Sequence, residues 1–142
     1  MKLYIHDDTT DVSNLEDGCV AFNVCDPLEN LDSITQHSCK EITFINDALS
    51  CLKNQAAEEL LSIVATKCRK GGKINLSVVD GHVACNLISQ NLAPIEELNT
   101  LIKEVSSVQD VYRIYSILQK NSITVISSKQ DGFKTLIKAV RN

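Results

Sequence analysis

Glu41-Ile42-Thr43-Phe44-Ile45-Asn46-Asp47, then Asn54 to Lys70, then Gly71-Gly72, then Lys73-Ile74-Asn75-Leu76-Ser77-Val78-Val79-Asp80-Gly81 is the most informative run of this chain. The first segment is short, apolar and β-branched and stops at Asn46-Asp47, as a buried strand does. Between Asn54 and Lys70, Leu60, Leu61, Val64 and Cys68 recur at helical spacing, with Glu58 and Glu59 early and Lys67, Arg69 and Lys70 late, matching the helix dipole. Asn54 reads as the N-cap, and Gly71-Gly72 as the left-handed stop of a helix over Gln55 to Lys70. Lys73 to Val79 is then a third apolar run. Strand, helix, glycine turn and strand make a βαβ unit, which implies two neighbouring parallel strands joined by a right-handed crossover and covered on both faces.

Working outward, Cys19 to Cys25 is a strand that Asp26-Pro27 terminates, Met1 to Ile5 is another, and Asp7 to Asp17 is a polar, acid-rich connection. Helices are expected over Val83 to Ser89, Ile95 to Val105 and Val108 to Lys120. Ser122 to Ser127 and Phe133 to Val140 read as an antiparallel pair, reversed at Gln130-Asp131-Gly132 because an Asp-Gly step accepts positive φ. No linker or repeat divides the order, so residues 1–142 form one domain.

Composition narrows the function classes. The 142 residues are 44% hydrophobic, enough for a real core, and a net charge of -4 gives no global attraction to nucleic acid or an anionic membrane. With no tryptophan and six Phe and Tyr together, stacking walls for a nucleobase are scarce. No apolar run approaches a membrane span, and Met1 to Asp7 lacks a signal-peptide core, so the expected compartment is the cytoplasm. Cys19, Cys25, Cys39, Cys51, Cys68 and Cys85 are accordingly expected as reduced thiols, most behaving as small hydrophobes. There is no Cys-x-x-Cys and no helically spaced His pair among His6, His37 and His82, so no metal site is expected.

The run from Glu41 to Leu52, the helix, Arg69-Lys70-Gly71-Gly72, and Ile74 to Asp80, with the reversed Ser122 to Val140 pair, resembles the second half of a class I S-adenosylmethionine-dependent methyltransferase. The resemblance covers roughly two thirds of the chain and implies an α/β, three-layer Rossmann-like methyltransferase fold, mainly parallel, with an antiparallel C-terminal edge hairpin. It also implies S-adenosylmethionine as cofactor if the chain is active. Here the sequence departs from the family: after Met1 to Ile5 it carries His6-Asp7-Asp8-Thr9-Thr10-Asp11, with no Gly-x-Gly and with three carboxylates where the ligand's own carboxylate would lie.

By this resemblance His6, Asp7, Asp26 and Asn46 are the candidate cofactor-binding residues, and Asp47 and His82 the candidate catalytic groups. Asp26 stands either for the acid that grips the ribose hydroxyls or for the acid one strand later; in the second register much of the cofactor half is missing. Asp26 is equally a turn-former before Pro27, Asn46-Asp47 a solvated turn, and His82 an exposed turn histidine. Two functions remain. The favoured one is a methyltransferase-like scaffold that has lost the cofactor and serves as a binding, regulatory or assembly subunit, a viral particle's included, through a protein partner or its own copies. The other is a minimal methyltransferase acting on a small molecule or protein by in-line methyl transfer.

Overall fold

A computed structural model describes residues 1–104 and 107–142. The fold is mixed α/β. Strands β1 (Lys2–His6), β2 (Cys19–Asn23), β3 (Cys39–Phe44), β4 (Cys68–Val79), β5 (Ile123–Asp131) and β6 (Lys134–Arg141) form one sheet in the order β2-β1-β3-β4-β6-β5. The pairs β1–β2, β1–β3 and β3–β4 are parallel, and β4–β6 and β5–β6 are antiparallel. This is the Rossmann-like sheet expected from the sequence, including the parallel juxtaposition of Ile42 and Ile74 and the C-terminal hairpin, which turns at Gly132 with φ +57°.

Helix α1 (Asn54–Lys67) joins β3 to β4; α2 (Gly81–Ser89), α3 (Ile95–Glu104) and α4 (Val111–Lys120) lie between β4 and β5. The core sits between one sheet face and α1 and α4, where Leu3, Ile42, Ile74 and Ile137 meet Leu60, Leu61, Ile114 and Leu118. Deep burial of this many large aliphatic side chains, at about 1.5–3 kcal/mol each, is the main driving force for the fold.

The covering is asymmetric. On β4, buried Ile74, Leu76 and Val78 alternate with Lys73, Asn75 and Ser77, none of them buried, and Lys2, Tyr4, Glu41, Thr43, Leu136 and Lys138 behave likewise on the neighbouring strands. The expectation of strands covered on both faces is therefore corrected: period-two alternation, hidden inside an apolar-looking run, leaves the second face open. The connections explain it. Residues 7–18 link β1 to β2 as a loop with no α-helix, Glu16 pairing with outward Lys2, while residues 24–38, with the 3-10 turn Leu28–Ser33, pack Leu31 and Ile34 into the core beside α1 instead.

Several boundaries also move. Helix α1 ends at Lys67, not Lys70, and Arg141 caps it by donating from Nη1 to the carbonyls of Ala65 at 3.1 Å and Cys68 at 2.9 Å. Gly71-Gly72 consequently lies inside β4, where Gly71 has φ +72° and the β3–β4 register shifts between Cys39 and Glu41, an irregularity in the ladder rather than a helix stop. Asn54 is the first helical residue and Lys53 the N-cap, with no side-chain cap bond. Strand β2 ends at Asn23 because Asp26 N donates to Asn23 O and turns the chain. Helix α4 starts at Val111, capped by Asp110, three residues later than the periodicity predicts. The expected end of α3 at Val105 lies outside the described residues.

Candidate functional site

The sheet order reverses direction at β1: its successor β2 lies on one side and β3 and β4 on the other. In open α/β sheets the crevice beyond the carboxyl ends at such a switch point is where ligands bind. Here it is bounded by His6, the last residue of β1, by Asp7 just after it and by Asn46 after β3.

The loop after β1 folds back into that crevice. Asp7 Oδ1 accepts from Thr9 N at 3.0 Å, Thr9 Oγ1 at 2.8 Å and Thr10 Oγ1 at 2.9 Å, while Asp7 Oδ2 accepts from Cys51 Sγ at 3.3 Å. Partial burial raises the Asp7 carboxyl, but the bonds from Thr9, Thr10 and Cys51 outweigh it and hold the group below its usual range. Asn46 takes φ +53°, which asparagine tolerates, and its Nδ2 donates to Thr10 Oγ1 at 3.3 Å. Asn23 Nδ2 donates to Asp8 Oδ1, and His6, only 8% exposed, donates from Nδ1 to Asp7 O at 2.8 Å. His6, Asp7 and Asn46 are thus brought together, bonded to one another's loop. Asp26 is exposed beyond β2, the edge strand that pairs in parallel with β1, and stands apart from the Asp7 network.

The two candidate catalytic groups are separately engaged. Asp47 accepts from Ser77 Oγ at 2.8 Å and pairs with Lys134, so the hairpin neutralises it. His82 opens α2 and donates from Nε2 to Asp110 Oδ1 at 3.1 Å, with the Tyr112 ring edge-on at 5.0 Å. Desolvation raises the Asp110 carboxyl, yet the Tyr112 N–H and His82 together draw it below its ordinary value. His82 and Asp110 line a cleft of about 390 Å³ with Asn54, Cys85, Asn86 and Gln109.

Cys51, Thr9, Thr10 and Asp110 complete these networks and are not among the candidate site residues that the sequence offers. Thr9 and Thr10 carried a local signal, since Asp-x-Thr-Thr is an Asx-turn pattern. Cys51 and Asp110 carried none, because their partners lie 44 and 28 residues away.

No protein-family model and no curated protein matches the chain. Solved structures do. An O-methyltransferase family protein from Burkholderia thailandensis superposes with TM-score 0.60 at 14% identity over 87% of this chain and 36% of its own. A SAM-dependent methyltransferase from Archaeoglobus fulgidus gives 0.59 at 10% over 99% and 86%. The 1,6-didemethyltoxoflavin-N1-methyltransferase of Burkholderia thailandensis, solved with S-adenosylhomocysteine, gives 0.54 at 11% over 98% and 71%. The chain spans about a third of the first of these, and identities this low speak to fold alone. That fold is class I methyltransferase-like. Among the described residues, no helix is long and apolar enough to cross a membrane.

Proposed function

We propose that this chain is a methyltransferase-like domain that does not use S-adenosylmethionine and acts as a binding, regulatory or assembly subunit. The observation that carries this reading is the Asp7 network. A ligand laid in the crevice would have to break four bonds to one carboxylate, and at Asp7 to Asp11 it would meet side chains and fixed negative charge where a glycine backbone would admit it. The residues present do not fit the cofactor's methionine end. Thermal-shift and calorimetric titration with S-adenosylmethionine and S-adenosylhomocysteine test this. The expected result is no shift; a ligand at a hundredfold its Kd would add about 2.7 kcal/mol, a rise of several degrees that overturns the reading.

A minimal methyltransferase is the second reading, favoured by His82, which is half exposed in its cleft and held in orientation by Asp110 as a proton acceptor would be. It requires the crevice to open. Methyl transfer that disappears in His82→Ala, together with a cofactor-induced shift, would establish it.

A further inference from the structure

We propose that the open face of the sheet is a docking surface for an acidic amphipathic helix of a protein partner; the proposal rests on the reading that the chain works by binding. Parallel strands are normally buried on both faces, since crossovers lay helices against them, yet the connections on the β2-β1-β3 side supply no α-helix. The face left open is shaped rather than flat. Small outward side chains, Asn75 and Ser77 on β4, form its floor beside Asn46 at the end of β3, and Leu136 and Lys138 of β6 its wall, around a hollow of about 350 Å³. A second hollow of about 260 Å³, sharing Asn75 and Lys138, continues it toward Lys73 and Ile126. Apolar surface is available along this trough: Leu136 is 38% exposed and Ile126 62%.

Charge selects the occupant. Lys2, Lys73, Lys129, Lys134 and Lys138 point from this face; Glu41 and Asp131 share its strand positions, and Glu16 and Asp47 reach it from the adjoining loops, which leaves a local excess of lysine in a chain whose net charge is -4. Lys2 is paired with Glu16 and Lys134 with Asp47, while among the described residues Lys73, Lys129 and Lys138 have no carboxylate within 4 Å. A helix with a Leu or Ile stripe for the trough and flanking Glu or Asp for these lysines satisfies both features. A second copy of the chain would set lysine rows against lysine rows. Single-stranded RNA would find Tyr4 as the sole aromatic ring on the strands' outward positions and no stacking platform.

The test is amide-shift mapping by NMR on the isotopically labelled chain, titrated with a synthetic helix carrying Leu at i, i+3, i+4 and i+7 and Glu on its flanks. Shifts centred on Lys73, Asn75, Ser77, Leu136 and Lys138 are expected, and the joint Lys73→Glu and Lys138→Glu substitution should weaken binding about tenfold, as loss of rim charge pairs does. Lys73→Ala with Lys138→Ala, checked for unchanged spectral dispersion, should weaken it less. No peptide binding, shifts confined to other surfaces, equal affinity for the Lys-flanked counterpart, tighter binding of an oligouridylate at the same residues, or a sedimenting dimer that charge reversal dissociates would each overturn the proposal. S-adenosylmethionine added to the same sample separates the two readings: shifts at His6, Asp7 and Asn23 would overturn the cofactor-free function, whereas the peptide arm alone judges the face.

Discussion

Cys51 donates its thiol to Asp7 Oδ2 at 3.3 Å, joining the loop after β1 to the 3-10 turn Ala48–Cys51 after β3 across the mouth of the switch-point crevice. Asp7→Ala removes the common acceptor of that thiol and of the Thr9 and Thr10 hydroxyls. A loss of about 1–2 kcal/mol in denaturant unfolding is expected, with Asp7→Asn losing less.

The same contact sets a pH dependence. Because the folded-state pKa of Asp7 is depressed, its stabilisation is complete above the ordinary carboxylate pKa and is lost as pH falls through the lower folded value. Urea midpoints recorded downward from pH 5 should fall more steeply for the parent chain than for Asp7→Asn. Coincident acid limbs would show that Asp7 contributes nothing to acid sensitivity.

At Gly72 a methyl group would lie 2.8 Å from both Arg69 O and Cys68 Sγ and 2.9 Å from Cys39 O. Two of these neighbours are backbone in the β3–β4 ladder, so Gly72→Ala is expected to lose about 1–3 kcal/mol through overpacking. Gly18→Ala faces open space and suffers only its φ of +80°, about 1–2 kcal/mol. Paired urea titrations would show whether crowding or φ is the larger burden.

Asp80 is buried, caps α2 by accepting from His82 N at 3.0 Å, and accepts from Thr135 Oγ1 at 2.9 Å. Asp80→Ala leaves both donors without partners and should lower stability by about 2–3 kcal/mol. Asp80→Asn retains an oxygen for the cap and should fall between, as differential scanning calorimetry would read.

None of the six thiols is paired, and their environments differ. Burial pushes Cys68 up to about 11; burial, with the Asp7 bond, does the same for Cys51. Cys25 is exposed, but the neighbouring Asp8 carboxylate raises it, so the thiolate is scarce. Timed alkylation at pH 8 with mass spectrometry should label exposed Cys85 first and Cys25 more slowly, with Cys39 and Cys68 last. Early labelling of Cys68 would mean that the β3–β4 ladder opens locally.

The βαβ unit and the hairpin were legible because their signals are local: Ile42 to Ile45 is a short β-branched run, Leu60, Leu61 and Val64 fall on one helical stripe, and Asp131-Gly132 marks a reversal. The lack of a glycine loop after β1 was equally plain. Gly71-Gly72 was misread because a glycine pair ends a helix and permits a ladder irregularity with the same φ freedom, and the choice depended on Arg141, which reaches α1 from 76 residues away.

For the candidate site, the local pattern placed His6 and Asp7 at the end of one strand and Asn46 at the end of another, since a strand's end is written in near-neighbour residues; that these two strands lie side by side comes from the sheet order. Pairing of Asp7 with Cys51, Asp47 with Lys134 and His82 with Asp110, and the choice of which sheet face the helices cover, belong to the three-dimensional structure. Each depends on strand register and on the path of connections between elements, and a one-residue slip in register would turn Asn75 inward and Ile74 out without changing a residue of the sequence.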